Sequence, residues 1–244
     1  MSGQNVWDNG IWALVKDVKF DFMTLYIMEH ILSSAVLEGK TLLELGSGTG
    51  RLSYLALKHG ASKVVLVDSS EKAITLSRNL FASEQPGKYE IHQANILDFS
   101  AQHKFDIVIS SGVIEHFKGE DRYRIIAAHL NNAKGCCVII HPTKTLYSSF
   151  FNNFIISKKL YGYQESFSDQ EMDSIIRAER VNCHAHHSRF HLFYTVPLLH
   201  NKEWLNRSID KTAIGSGYGG LTLTCIRMPN SETDAVEKCE RFLS

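Results

Sequence analysis

The chain is short of the features that mark several functional classes. No stretch approaches the roughly 18 consecutive apolar residues that a membrane-spanning helix needs. Neither sign of charge is in surplus, since 26 Lys and Arg balance 26 Asp and Glu. That balance counts against a broad nucleic-acid-binding face. Only four prolines occur in 244 residues, with no low-complexity tract, internal repeat or evident linker. One domain over residues 1–244 is expected. The five cysteines include no C-x-x-C pair, and Cys136 and Cys137 sit side by side in an apolar run. They read as reduced, buried thiols of a cytosolic protein, not as a disulfide framework. "MSGQNVWDNG" lacks the basic start and apolar core of a signal peptide, so a cytoplasmic location is expected.

What is present is a globular pattern, 44% hydrophobic and 21% charged, long enough for a substantial core. Apolar residues at helical spacing over 18–37 predict a helix ahead of the core. "TLLEL" (41–45) predicts a first strand, followed by a helix over 51–60 closed by Gly60. "KVVLVD" (63–68) predicts a second strand, and 70–84 a second helix. Further strands are expected at 89–96, 105–110 and 136–142, with a helix over 119–135 that ends in glycine. Short, continuously apolar strands alternating with helices indicate a parallel sheet covered on both faces. The fold class is therefore α/β, a doubly wound domain with ligands expected outside the carboxyl ends of the strands. Beyond 142, amphipathic helices are expected at 146–163 and near 232–243. Ser168 and Glu171 form a capping box on a helix over 167–179. Two closing strands follow in "VNCHAHHSRFHLFYTV" and "LTLTCIRM".

The stretch "LLELGSGTG" (42–50) carries the chemistry. A dinucleotide fingerprint would place its third glycine at residue 51 or 53, which are Arg51 and Ser53. No Gly-Lys-Ser/Thr follows, which excludes a P-loop. The turn E-L-G-S-G-T-G resembles motif I of the class I S-adenosylmethionine-dependent methyltransferases. The resemblance extends over roughly 41–142. Asp68 ends the second strand where that family has an acid for the ribose hydroxyls, and a carboxylate can accept from both. Asn95 in "QANI" stands where the family usually has an acid for the adenine amino group. "IEHF" (114–117) resembles the Glu-His segment of the small-molecule enzymes, including those of the ubiquinone and menaquinone pathways. The resemblance implies a mostly parallel seven-stranded sheet with an antiparallel closing strand near the C-terminus. It also implies a cofactor site of Glu44, Gly46, Ser47, Gly48, Asp68, Ser69, Asn95, Ile96 and Ser111. The cofactor would be S-adenosyl-L-methionine and its product S-adenosyl-L-homocysteine.

Methyl transfer from a sulfonium needs alignment, exclusion of water and sometimes a base. His116, after the fourth strand, is the first candidate base, and His141, at the end of the fifth, the second. Glu115 is a candidate to orient its surroundings or to react. The resemblance suggests an N-terminal helical cap over 1–40, with Trp7 and Trp12 closing over the cofactor, and a substrate lid over 143–166. "CHAHHSRFH" (183–191) is rich in histidine, but no carboxylate or Cys cluster completes a familiar metal spacing, and no metal is assigned. "SSGV" after the fourth strand lacks the Asn/Asp-Pro-Pro-Tyr/Phe turn of amino-directed nucleic-acid enzymes. A small-molecule acceptor is expected, its reacting atom (oxygen, nitrogen or carbon) not being readable. A non-catalytic sensor or partner subunit and a protein or RNA methyltransferase are the alternatives.

Overall fold

The computed structural model describes residues 4–145, 159–179, 182–191, 201–210 and 220–229. Two short helices, α1 (Gln4–Asn9) and α2 (Ile11–Leu14), lead to α3 (Phe22–Ser34). Asp21 starts α3 by accepting the Thr24 backbone N–H at 3.0 Å, which satisfies one of the unpaired donors of the first turn. The core then alternates: β1 (Thr41–Leu45), α4 (Arg51–Lys58), β2 (Lys63–Asp68), α5 (Glu71–Phe81), β3 (Tyr89–Gln93) and β4 (Phe105–Ser111). After β4 come one 3-10 turn (Ile114–His116), α6 (Asp121–Asn132) and β5 (Ala133–Pro142). The last described elements are α7 (Asp169–Glu179), β6 (His184–Phe190), α8 (Glu203–Asp210) and β7 (Leu221–Arg227).

The seven strands form one sheet in the order β3-β2-β1-β4-β5-β7-β6. All neighbours from β3 to β5 pair in parallel, and β7 runs antiparallel to both β5 and β6. Successive side chains of a strand face opposite sides, and the two cores follow that alternation. Leu42, Val64, Leu66, Ile107, Ile109 and Val138 pack with Ile31 and Phe81 on one face. Leu43, Val65, Val67, Val108, Cys137 and Ile139 pack with Ile126, Met172 and Ile175 on the other. Strands buried on both faces have no polar side to show, which is why they read as unbroken apolar runs. The order reverses between β1 and β4, so the cleft at the carboxyl ends of β1, β2 and β4 is where such a sheet holds ligands.

Several details differ from the sequence reading, among them the first long helix, expected over 18–37 and observed as Phe22–Ser34. The helix expected to run to Gly135 ends at Asn132, and β5 starts at Ala133. Phe105 pairs with Ala133 but Ile107 with Cys136, so β5 carries one extra residue there, a bulge that takes up Gly135. The third strand stops at Gln93, because the Asn95 side chain accepts the Leu97 N–H at 3.1 Å and turns the chain. At α7, Ser168 caps the Glu171 N–H at 3.2 Å, whereas the Glu171 carboxylate is turned to Arg122. Most of the helix expected over 146–163 and all of that near 232–243 lie outside the described residues.

Candidate cofactor and active site

The glycine turn leaves β1 and immediately folds back on β2. Gly46 and Ser47 donate their N–H groups to the Val67 carbonyl at 2.8 and 3.0 Å, and Gly48 donates to Asp68 Oδ2 at 2.7 Å. Gly48 has φ +53°, and a Cβ built there would lie 2.7 Å from the Trp12 ring. Gly46 has φ +70°, and its Cβ would lie 2.6 Å from a Val113 methyl. Both backbone angles and both close approaches require glycine. The hydroxyl oxygen of Ser47 is buried with no hydrogen-bond partner.

Two acids flank the turn with different tasks. Glu44 is 3% exposed, and its Oε2 accepts both the N–H and the hydroxyl of Ser53 on α4. Gly50, the residue before α4, offers no capping side chain, so Glu44 supplies the missing acceptor from below. Burial raises its carboxyl to about 7, opposed by the two Ser53 bonds. Asp68 is 9% exposed and accepts the N–H groups of Gly48 and Ser70 at 2.7 and 2.8 Å. Burial raises its carboxyl too, opposed by those backbone donors. The Ser69 backbone acts on the carboxylate as well, and with about four lone-pair positions Asp68 retains acceptor capacity beyond these three donors.

The rest of the expected cofactor set stands at neighbouring strand ends. Ser69 is half-buried after β2, and the next residue, Ser70, is the side chain that caps α5 by accepting the Ala73 N–H. Asn95 follows β3, with its amide nitrogen donating to Asp98 at 2.9 Å and its oxygen taken by Leu97. Ile96 is buried beside it, and Ser111 ends β4.

The turn after β4 holds the two residues expected to act on the acceptor. Glu115 is 2% exposed, and its Oε2 is buried with no hydrogen-bond partner. Burial raises its carboxyl to about 8, so it carries its proton at neutral pH. His116 Nδ1 lies 2.7 Å from the Tyr163 carbonyl oxygen. A carbonyl only accepts, so Nδ1 carries the hydrogen and Nε2 presents its lone pair. Burial lowers this imidazole to about 4, which leaves it neutral at pH 7. His116 Nε2 and Glu115 Oε1 are 3.9 Å apart, too far for a hydrogen bond. His141 lies near the end of β5, at 1% exposure, with its ring 6.1 Å from that of Phe167. Its Nδ1 is 3.2 Å from the Pro142 carbonyl and its Nε2 3.4 Å from the Thr224 hydroxyl. Burial lowers it to about 4 as well.

Trp7 was expected over the cofactor, whereas other neighbours of this site had no signal in the sequence. Trp7 meets His116 edge-on, with ring centroids 4.6 Å apart. Asp8 accepts the Ser70 hydroxyl at the start of α5. Arg122 is 6% exposed and joins α6 to the chain before α7. It donates to Glu171 at 2.8 Å and to the Glu165 carbonyl at 3.0 Å, and its guanidinium lies 3.5 Å over the Phe167 ring. In the histidine-rich stretch, His187 bonds Thr224 at 2.9 Å and Asp173 at 3.1 Å. Among the described residues no group of three His, Cys, Asp or Glu is arranged to hold a metal. No described helix is long and apolar enough to cross a membrane.

S-adenosylmethionine suits these residues in kind. Its ribose hydroxyls and amino group are the kind of donor that Asp68 and the partnerless Ser47 oxygen would accept, and a turn without a Cβ at Gly48 would admit a close approach. Comparison with known proteins points the same way. The chain is 33% identical over 126 residues to a ubiquinone biosynthesis O-methyltransferase of Coxiella burnetii, covering 51% of this chain and 49% of that protein. It thus spans about half the length of the curated relatives it matches. The fold is shared with an S-adenosylmethionine-dependent methyltransferase from Mesorhizobium loti (TM-score 0.60, 16% identity, 84% of this chain and 98% of that one). It is shared too with magnesium protoporphyrin IX methyltransferase from Synechocystis with bound cofactor (TM-score 0.56, 15% identity, 93% and 92%). The profile of the methyltransferase domain matches residues 37–164, a span that takes in the glycine turn, Asp68 and the Glu115–His116 pair, and the chain belongs to that family.

Proposed function

We propose that this chain transfers a methyl group from S-adenosylmethionine to a small-molecule acceptor. The observation that carries the reading is the approach of Gly46 to Val113, which sets the glycine turn and its bond to Asp68 beside the chain that leads into Glu115 and His116. The 33% identity to a ubiquinone biosynthesis O-methyltransferase supports a small acceptor, as does the zero net charge. S-adenosylmethionine supplies a methyl already activated as a sulfonium, which leaves as the thioether of S-adenosyl-L-homocysteine.

The chain's own residues then have distinct tasks. Asp68 accepts from the ribose and, through Gly48, keeps the turn in register. Glu115, neutral and without a partner at Oε2, offers a donor to an acceptor oxygen. His116 takes the acceptor's proton at Nε2, its ring fixed by the Tyr163 carbonyl. An imidazole lowered to about 4 is a weak base toward a free hydroxyl. It becomes adequate as the new carbon bond makes the acceptor's proton strongly acidic. Residues 143–166 serve as a substrate cover, whose last residues are tied to Glu115, His116 and Arg122.

The test is transfer of label from methyl-labelled S-adenosylmethionine into a cell extract, separated into protein, nucleic-acid, lipid and small-metabolite fractions. Label in the small-molecule or lipid fraction above a no-enzyme control is the expected result. Label in protein or nucleic acid alone would overturn the acceptor class. Homocysteine-product binding without any label would favour a sensor.

A further inference from the structure

The N-terminal helices meet the site at three points. Trp12 fills the space on the Cβ side of Gly48, with Cη2 and Cζ2 at 2.7 and 2.8 Å from where a Cβ would be. Trp7 rests on the edge of His116. Asp8 takes the Ser70 hydroxyl and, at 3.4 Å, the Lys72 N–H in the first turn of α5. The Trp12 contact decides what this arrangement does. A cover leaves room for a ligand between itself and the binding surface. Here the indole touches the glycine turn directly, on the face that a ligand held by that turn would have to meet.

The attachment is also weak. α1 has six residues and α2 four, well below the length at which a helix is stable without tertiary support. From Ile11 to Phe20 every residue is exposed or only half-buried. Segments with so few buried contacts open at low free-energy cost. The carboxylate of Asp8 also raises the Asp68 carboxyl, so its departure would make Asp68 a readier anion for a ligand's hydroxyls.

We infer that α1 and α2 form a displaceable plug, in which Trp12 holds part of the cofactor's place until S-adenosylmethionine or S-adenosylhomocysteine displaces it. This rests on the cofactor reading given above. Binding then competes with docking of the plug, and the observed affinity falls by the fraction of molecules in which the plug is open. If nine-tenths are closed, the penalty is about tenfold.

The experiment is calorimetric titration of S-adenosylhomocysteine into wild type, Trp12→Ala and Asp8→Asn, with limited proteolysis of residues 1–20 before and after ligand. The plug predicts tighter binding in both variants, by about three- to tenfold. It also predicts faster cleavage of the N-terminal segment when ligand is present. Weaker binding in Trp12→Ala, with ligand protecting the segment from protease, would overturn it and make the helices a lid. Unchanged affinity in both variants would overturn it too. Absence of binding by folded wild type and both folded variants would instead remove the cofactor reading on which the plug rests. Thermal melts show whether the variants are folded, and Asp8→Asn retains side-chain volume if Trp12→Ala is lost.

Discussion

Replacing Glu115 with Gln isolates the consequence of burying an acid without a partner. In solution a glutamate titrates near 4.5, whereas burial holds Glu115 at about 8. The folded carboxyl therefore keeps its proton at pH values where the unfolded one has lost it. Because the folded pKa is raised, its contribution to stability is fully present below 4.5 and is lost as pH rises through about 8. Each tenfold change in acidity represents about 1.4 kcal/mol, so the loss reaches about 4–5 kcal/mol above pH 8 for a group this deeply buried. Gln cannot ionise and has nearly the same shape. The Glu115→Gln variant should match wild type within about 1 kcal/mol at pH 5. It should become progressively more stable than wild type up to pH 9. At about 2–4 °C per kcal/mol for a chain of this size, the melting-temperature gap should open by about 8–20 °C. Thermal melts of both proteins at pH 5, 7 and 9 measure it directly. A gap that stays constant across that range would show that Glu115 ionises like an exposed carboxyl, and would refute its place as a neutral donor in the site.

Three further outcomes follow from other contacts. Asp68→Ala should weaken S-adenosylhomocysteine binding about ten- to hundredfold, the cost of one or two charge-assisted hydrogen bonds, while the protein stays folded; unchanged affinity on calorimetry would remove Asp68 from the site. His116→Ala should lower turnover far more than cofactor affinity, and equal losses of both would assign the ring to structure. Arg122→Met should leave Glu171 and the Glu165 carbonyl without their donor, lowering stability by about 1–3 kcal/mol given that Glu171 is partly solvated; an unchanged melt would show that the Arg122 hub does not hold the chain before α7.

The sheet was legible because its strands are buried on both faces. An unbroken run such as "KVVLVD" has no solvent side, and its limits coincide with β2, Lys63–Asp68. Boundaries failed where pairing partners decide them. Nothing local distinguishes "NNAKG" as the end of a helix from a strand with a bulge, and the choice is made by Phe105 and Met228 across the sheet. The glycine turn was legible because spacing alone separates the cofactor classes, and Asp68 came from the resemblance; the structure joins the two through the Gly48 N–H bond to Asp68. Arg122 and Asp8 were not legible, since their partners lie 43–62 residues away in the chain and no periodicity connects them. Trp12 was expected near the cofactor, but its direct contact with Gly48 depends on how α2 is seated.

Glu115 and His116 show why chemistry can be hidden where a motif is plain. As free side chains they would favour charges near pH 5.5, with the carboxylate at 4.5 and the imidazolium at 6.5. Burial reverses the order, moving them to about 8 and about 4, so that a neutral acid stands beside a neutral base. The 3.9 Å gap between Nε2 and Oε1 keeps them from satisfying each other. Both are therefore ready for a third group. An acceptor hydroxyl can donate to Nε2 and receive from Glu115, and the product of oxygen methylation is neutral once His116 has taken the proton. A nitrogen acceptor that ended as a cation would instead draw Glu115 down and ionise it. The two acceptor classes would then differ in pH profile: turnover with a hydroxyl acceptor should fall as His116 protonates on the acid side, whereas turnover with a tertiary amine should rise as Glu115 ionises on the alkaline side. A hydroxyl substrate whose turnover followed the alkaline limb would contradict the roles assigned to this pair.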